Sequence, residues 1–190
     1  MKNIAIFASG SGSNAQKIIA HFNTKKSLVG QVALVVCNKE NAGVLQIAAA
    51  AQVPSAVITK TQLNNEDYMQ ALLQKHHIDF IVLAGFLLLI PEFLTRYFHH
   101  KIVNIHPALL PKYGGKGMYG KNVHQAVWQN RESQTGITIH FANEHYDEGN
   151  IVFQASTEIT AADTPETIAQ KVQQLEHQHF PAVIEKLLKG

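Results

Sequence analysis

The sequence predicts an α/β fold, with a Rossmann-like, open and mostly parallel sheet, helices on both faces and an antiparallel C-terminal extension. Short β-branched runs alternate with longer helical patterns over residues 1–100, as in parallel strands joined by helical crossovers. After Gly136, two strand-like runs follow each other with only a polar loop between them, which indicates an antiparallel pair. The 190 residues, 46% of them hydrophobic, are enough for one domain with a substantial core.

The predicted elements follow from these periodicities. Strands are predicted at Ile4–Ala8, Val32–Cys37, Ala56–Thr59, Phe80–Ala84, Ile102–Ile105, Ile137–Ala142 and Ile151–Ile159. Helices are predicted at Asn14–Phe22, Ala42–Ala51, Asn65–His77, Pro91–Tyr97 and Asn122–Gln129. Asn64, three residues before Asp67, resembles an N-terminal cap. A final helix is predicted to begin near Asp163–Pro165, and Pro181 is predicted to break or kink it.

Composition and charge exclude several classes of function. The net charge is +2 and the basic residues are scattered, so nucleic acid is not a predicted partner. The longest apolar stretch, Phe80–Ile90, is much shorter than the roughly 20 residues that cross a membrane. The single cysteine, Cys37, cannot form an internal disulfide, and the amino terminus passes at once into a strand-like run. We therefore expect a cytoplasmic protein with no membrane association.

The segment Ser9–Asn14, between the first strand and the first helix, has the composition of a phosphate-binding loop. Small residues let the backbone approach an anion, and the helix start supplies free N–H groups. Ala15 completes a G-x-G-x-x-A pattern, which also serves dinucleotides, but the second strand ends in Cys37-Asn38-Lys39 with no acid for a ribose. A phosphate monoester is favoured, while a dinucleotide site and an ordinary capped turn remain open.

A long apolar stretch, Ile81–Phe86 continuing to Pro91, contains Gly85 where a parallel strand should end. Open α/β sheets bind ligands at that edge, so the following backbone amides could contact a flat heterocycle. Core packing explains Leu87–Leu89 equally well.

The candidate catalytic residues are Asn104, His106 and Asp147. Asn104 and His106 are two apart on a predicted strand, so they should point to one face, and Pro107 ends the strand there. An amide and an imidazole can stabilise an oxyanion or deliver a proton, and a carboxylate folded back across them would favour the imidazolium. The alternative is that Asp147-Glu148-Gly149 is simply a turn.

The spacing does not predict a metal site or a serine nucleophile. H-E-x-x-H, C-x-x-C and G-x-S-x-G motifs are all missing, although His140 and His145 could approach His106 in space.

With these motifs the chain resembles the folate-dependent formyltransferases, most of all the phosphoribosylglycinamide formyltransferases of purine biosynthesis, over nearly its whole length. The residues that carry the resemblance are Ser9–Asn14, Leu83–Phe86, Asn104–Pro111, Gly136, His140, Asp147, Glu176 and His177. Related enzymes such as methionyl-tRNA formyltransferase share the core motif but carry extra domains, for which we expect no room here.

The resemblance implies transfer of a formyl group from 10-formyltetrahydrofolate to the amine of 5′-phosphoribosylglycinamide, by direct attack and without a metal. It implies catalytic roles for Asn104, His106 and Asp147. It implies substrate binding by Gly12, Ser13, Asn14, Gln173, Gln174 and Glu176. It implies folate contacts at Leu87, Leu88, Leu89, Ile90, Asn104, Asn143, Glu144, His145, Tyr146 and Asp147.

On this reading residues 1–190 form a single formyltransferase domain. Residues 1–100 form the half that binds the substrate phosphate, and residues 101–190 form the catalytic and folate-binding half. We expect small-molecule substrates and a monomer or homodimer. A formyltetrahydrofolate hydrolase, a nucleotide-dependent oxidoreductase and a non-catalytic phosphate-ligand binder remain as alternatives.

The chain departs from the pattern of the family near the expected folate tail. Asn65 and Leu88 align with positions that are often basic, which predicts weaker or relocated recognition of the glutamate tail. The segment Gly114–Lys121 is longer than in familiar bacterial relatives and rich in glycine. We expect it to be a mobile active-site flap, with Lys116 or Lys121 supplying the missing tail contacts.

Overall fold

The structure is a computed structural model that describes residues 1–23 and 28–190. Its strands are β1 Lys2–Ala8, β2 Gly30–Cys37, β3 Ser55–Val57, β4 Phe80–Leu83, β5 Ile102–His106, β6 Gln134–Phe141 and β7 Ile151–Glu158. Its helices are α1 Ser13–Phe22, α2 Gly43–Ala50, α3 Lys60–Leu63, α4 Glu66–Lys75, α5 Glu92–Tyr97, α6 Lys121–Gln129 and α7 Pro165–Lys189.

All seven strands form one sheet in the order β3-β2-β1-β4-β5-β6-β7. Neighbouring strands from β3 to β5 are parallel, whereas β6 and β7 pair antiparallel, which confirms the predicted mostly parallel sheet with an antiparallel extension. The strand order reverses between β1 and β4. In open α/β sheets such a reversal leaves a crevice at the carboxyl ends of the strands, where the loops after β1, β4 and β5 meet.

Helices cover both faces of the sheet, as predicted. The alternation of side chains along β1 shows why: Ile4 and Ile6 pack in the core beneath α1 and α7, while Ala5 and Phe7 pack in the core beneath α4 and α5. All four are fully buried. Burial of each large apolar side chain contributes about 1.5–3 kcal/mol, so the central strands are a rigid base for the loops at their ends.

The turn that follows β5 is held by buried hydrogen bonds rather than by regular structure. Thr138 on β6 donates its hydroxyl to the Ala108 carbonyl over 2.7 Å and accepts the Leu110 N–H over 2.9 Å. Gln154 on β7 donates to the Leu110 carbonyl over 3.1 Å. The antiparallel extension therefore fixes the chain immediately after His106.

Several predicted boundaries differ from the structure. Asn65, not Asn64, caps α4, and its side chain accepts the Tyr68 N–H. The short helix α3 was not predicted; Thr59 and Gln62 cap its start reciprocally in a capping box. The strand predicted at Ala56–Thr59 is β3, Ser55–Val57, and β6 begins earlier than predicted, at Gln134.

Pro181 does not break the last helix, which continues through it to Lys189. Proline removes one helical hydrogen bond, at a cost of about 3 kcal/mol. Phe180 and Ile184 are fully buried beside it, and their packing offsets that cost.

Within the described part of the chain, no helix combines the length and apolarity needed to cross a membrane. Cys37 is a free, buried cysteine at the end of β2.

Candidate active site

A cleft of about 760 Å³ runs along the carboxyl edge of the sheet. The predicted site residues that line it are Gly12, Ser13, Asn14, Leu87, Leu88, Leu89, Ile90, Asn104, His106, Asn143, His145, Tyr146, Asp147, Gln173 and Glu176. Two others, Glu144 and Gln174, are exposed and lie outside the lining. The structure thus gathers most of the predicted residues into one continuous surface.

His106 is the last residue of β5, and both of its ring nitrogens face acceptors. Nε2 lies 2.7 Å from the backbone carbonyl of Tyr113, which can only accept, so Nε2 carries a proton. Nδ1 lies 3.3 Å from Asp147 Oδ2. A hydrogen bond there needs a second proton on the ring, so this geometry favours the doubly protonated, positively charged imidazole.

The carboxylate of Asp147 is held in its ionised form. Burial by itself would raise the pKa of Asp147, but the contacts with His106 and His140, together with the Gly115 N–H at 3.0 Å, hold that pKa well below its usual range. Asp147 has a φ of 58°, a left-handed conformation that aspartate tolerates better than most residues. The loop between β6 and β7 therefore turns a fixed negative charge onto His106.

The amide of Asn104 completes this cluster. Its nitrogen lies 3.0 Å from His140 Nε2 and 3.3 Å from Asp147 Oδ1. His140 is directly opposite Asn104 in the pairing of β5 with β6, and its Nδ1 lies 2.9 Å from the Phe141 carbonyl. Nδ1 is therefore a donor, and Nε2 faces both the Asn104 amide nitrogen and Asp147 Oδ1, which lies 3.5 Å away.

The loop after β1 leads into α1 with its N–H groups facing the cleft. Gly12 has a φ of 82°, and a Cβ at this position would lie 2.7 Å from the Val44 backbone, so only glycine fits. No side chain caps the start of α1, which leaves the N–H groups of the first turn available for an anion. Lys39, exposed at the end of β2, lines the same cleft and adds a positive charge.

Helix α7 closes the phosphate-loop end of the cleft. Asn14 donates to Glu176 Oε2 over 2.8 Å, and Gln173 donates to the Ser13 hydroxyl over 3.2 Å. The side-chain oxygen of Asn14 is buried and has no hydrogen-bond partner among the described residues. Burial also raises the pKa of Glu176. An unpaired buried acceptor costs about 1–3 kcal/mol, so a ligand hydroxyl or ammonium would be stabilised there.

The segment after β4 forms an apolar wall of the cleft. Leu87 and Leu89 are 38% and 41% exposed, whereas Ile90 is buried in the core. Ser9 ties this segment to the phosphate loop, because its hydroxyl donates to Asn38 and accepts the Leu87 N–H over 3.0 Å. The wall is therefore held in a fixed position relative to the anion-binding turn.

Some groups at the site were not among the predicted site residues. His140 was noted as a possible neighbour of His106 and as part of the family resemblance but was given no role, and the register of β5 against β6 is the signal that would have placed it beside Asn104. Tyr113 and Gly115 contact the site through backbone atoms, so their residue types did not indicate these contacts. His124 also lines the cleft as a buried ring, and burial lowers its pKa. No three His, Cys, Asp or Glu side chains in residues 1–23 and 28–190 are arranged to hold a metal ion.

A model of the formyl transferase family matches residues 2–184. A chloroplastic phosphoribosylglycinamide formyltransferase from Arabidopsis thaliana is 41% identical over 96% of this chain, which spans 64% of that relative, less than two thirds of its length. The phosphoribosylglycinamide formyltransferase of Bacillus subtilis is 38% identical, with 99% and 95% covered. Among solved structures, glycinamide ribonucleotide transformylase 1 from Geobacillus kaustophilus has a TM-score of 0.88 and 34% identity, with 99% of both chains covered.

Proposed function

Because the chain belongs to the formyl transferase family, we propose that it transfers the formyl group of 10-formyltetrahydrofolate to the amine of 5′-phosphoribosylglycinamide in purine biosynthesis. The relatives from Arabidopsis thaliana and Bacillus subtilis, both named for this activity, support the proposal. The observation that carries it is the meeting of Asn104, His106 and Asp147 in a cleft whose other end is a phosphate-binding turn.

In the proposed reaction the substrate amine attacks the formyl carbon directly. The carbonyl becomes a tetrahedral oxyanion, the bond from that carbon to the folate nitrogen then breaks, and this nitrogen takes up a proton as the amine loses one. The doubly protonated His106 would supply positive charge beside the oxyanion. Because the Tyr113 carbonyl holds Nε2–H, the proton for the leaving nitrogen would come from Nδ1, which must exchange Asp147 for that nitrogen. Asp147 keeps the ring charged and oriented.

Asn104 is proposed to donate to the developing oxyanion. Its amide is shared between His140 and Asp147, so it must exchange one of these partners to reach a formyl oxygen. Such catalytic hydrogen bonds commonly tighten only in the substrate complex. The His140 ring, 3.0 Å from the amide nitrogen, limits the orientations that the amide can take.

The ribotide is proposed to bind at the end of the cleft formed by α1 and α7. Its phosphate would accept from the N–H groups of Gly12, Ser13 and Asn14, close to Lys39. Its ribose hydroxyls would be contacted by Glu176 and Gln173, with the unpaired oxygen of Asn14 as a further acceptor. Gln174 belongs to the same proposed set, although it is exposed outside the lining.

The folate is proposed to lie against the apolar wall of Leu87–Ile90 and the loop of residues 143–147. The exposed leucines of this wall would pack against the flat pteridine, and backbone groups would supply its hydrogen bonds.

The two proposed halves of the domain overlap in function. Leu87–Ile90 would contact folate but lies in the phosphate-binding half, and Glu176 would contact the ribotide but lies in the folate-binding half. We also infer a cytoplasmic monomer or homodimer, with the free, buried Cys37 as support for a reducing compartment.

One assay tests the proposal. The purified protein is mixed with 10-formyltetrahydrofolate, with and without 5′-phosphoribosylglycinamide, and tetrahydrofolate formation is followed by absorbance. Product that requires the ribotide supports the transferase. Formate released without the ribotide would instead show a hydrolase, and ribotide binding without folate turnover would show a non-catalytic binder. Binding of a nicotinamide dinucleotide tests the oxidoreductase alternative. We expect none, because Asn38 stands after β2 where a dinucleotide site would have an acidic residue to bind the ribose.

A further inference from the structure

A short stretch of backbone after the β5 turn holds both members of the His106–Asp147 pair. The Tyr113 carbonyl accepts from His106 Nε2 over 2.7 Å, and the Gly115 N–H donates to Asp147 Oδ2 over 3.0 Å. We call residues 113–115 the backbone clamp. A Cβ on Gly114, between these two contacts, would lie 2.6 Å from a terminal methyl of Leu110, which would have to shift to admit a larger residue.

The clamp depends on an unfavourable backbone conformation. Tyr113 has a φ of 59°, in the left-handed region that is unfavourable for a residue with a Cβ. Such strain persists only where surrounding contacts outweigh it, and it is concentrated at functional sites. Here it accompanies the contact of the Tyr113 carbonyl with His106.

The Tyr113 side chain has contacts that can hold this conformation. Its hydroxyl donates to Glu132 Oε1 over 2.8 Å and accepts from Asn130 Nδ2 over 3.0 Å. Lys112 also pairs with Glu132 Oε1, over 2.9 Å. Asn130 and Glu132 directly follow α6, whose Val123 and Val127 are buried in the core. The hydroxyl is thus tied to an element that the core keeps in place.

Tyr113 does not line the cleft, so it is not positioned to contact a substrate. Any effect that it has on chemistry must pass through the residues that the clamp contacts, and His106 is the one that the Tyr113 carbonyl itself contacts. We propose that Tyr113 is a positioning residue, whose anchored ring fixes its own carbonyl against His106 and so holds the charged imidazole in line with Asp147. For its consequence in turnover, the inference rests on the formyl transfer proposed above.

Tyr113→Phe is the first test, because it removes the hydroxyl contacts and keeps the ring. We expect turnover to fall about 10-fold while the KM for the ribotide changes less than about two-fold, since only the orientation of the catalytic ring is altered. Independently of any substrate, NMR of the His106 ring should show faster exchange of the Nε2 proton in the variant. Unchanged proton exchange would overturn the inference even if the formyl transfer proposal also failed.

Substitutions at Glu132 and Lys112 separate positioning from general stability. Glu132→Gln retains an oxygen that can accept from Tyr113 and should keep turnover within about two-fold, whereas Glu132→Ala should behave like Tyr113→Phe. Lys112→Met removes the exposed partner of Glu132 without touching the tyrosine and should leave both turnover and ring-proton exchange nearly unchanged. Equal losses in Lys112→Met and Tyr113→Phe would contradict a specific role for the tyrosine.

Discussion

The His106 ring and the Asp147 carboxylate form a buried pair: Nδ1 and Oδ2 are 3.3 Å apart, and the two side chains are only 4% and 10% exposed. Charges that are shielded from water interact more strongly than exposed ones. Because Nε2 is occupied by the Tyr113 carbonyl, the second proton of the ring is the one directed at the carboxylate. The pair therefore directs both N–H groups of a doubly protonated ring at fixed acceptors in the cleft.

Asp147→Asn should lower both the turnover and the stability of the protein, because it removes the charge of the carboxylate from this pair. We expect turnover to fall at least about 100-fold, because an amide does not favour the charged ring. At pH 7 the free energy of unfolding should fall by about 1–3 kcal/mol, since the charge-assisted hydrogen bonds are weakened. Steady-state kinetics and urea unfolding measure the two effects.

The loss of stability caused by Asp147→Asn should depend on pH. The pKa of Asp147 is lower in the folded protein than in the unfolded chain, so its ionised form stabilises the fold above about pH 4, and this stabilisation is lost as the pH falls further. The stability difference between wild type and Asp147→Asn should therefore narrow between about pH 4.5 and pH 2.5. A constant difference over that range would contradict the role of the charge.

Asn104→Ala and His106→Ala should each lower turnover at least about 100-fold while leaving ribotide binding largely intact. Both side chains lie at the proposed reacting carbonyl, whereas the phosphate turn and α7 are left unchanged. Rapid-quench kinetics report the chemical step, and calorimetric titration with the ribotide reports binding. A large loss of ribotide affinity in either variant would mean that these residues support the substrate site instead.

The sheet and its layers followed from periodicity, because a strand buried on both faces, such as Ile4–Ala8, is recognisable without its neighbours. The formyl transferase family was likewise predicted from the motifs and is confirmed by the match over residues 2–184. Local details depend on tertiary contacts. Pro181 was expected to break or kink α7, and the break did not occur, because the packing of Phe180 and Ile184 carries the helix past it.

The candidate site could also be predicted only in part from the sequence. Asn104, His106 and Asp147 were chosen by side-chain chemistry, and the structure brings them together. The contacts that orient them were harder to predict, because the Tyr113 carbonyl and the Gly115 N–H are backbone groups. The identity of a residue does not reveal where its backbone groups will point. His140 depended on knowing the register of two antiparallel strands.

Gly12→Ala should disrupt the phosphate turn, whereas Gly10→Ala should not. The added methyl at Gly12 would meet the Val44 backbone at 2.7 Å in a left-handed conformation, while nothing lies within 4 Å of a Cβ at Gly10. We expect Gly12→Ala to lose about 1–3 kcal/mol of unfolding free energy and to weaken ribotide binding more than 10-fold. Thermal melting and calorimetry compare the pair, and equal behaviour of the two variants would contradict this account.

Glu176→Gln should weaken ribotide binding without harming the fold. The pKa of Glu176 is raised by burial, so its contribution to stability is greatest when it is protonated and is lost as the pH rises through the folded-state pKa. At pH 8 the uncharged glutamine should therefore be at least as stable as the wild type, and at pH 4 this advantage should shrink. The Kd for the ribotide should rise about 10-fold, because one charge-assisted contact is lost. A variant less stable than the wild type at pH 8 would show that the charge supports the fold.

The final prediction concerns the folate tail and separates the two lysines of the glycine-rich segment. Lys116 lines the cleft, whereas Lys121 begins α6 outside the lining. Neither Asn65 nor Leu88 can attract an anionic tail, so the charge of Lys116 is the better placed replacement. We expect Lys116→Met to reduce affinity for polyglutamyl folate about three- to ten-fold, more at low salt than at high salt, with little change for monoglutamyl folate. Lys121→Met is the matched control, and a preference for polyglutamyl folate that survives Lys116→Met would place tail recognition elsewhere on the protein.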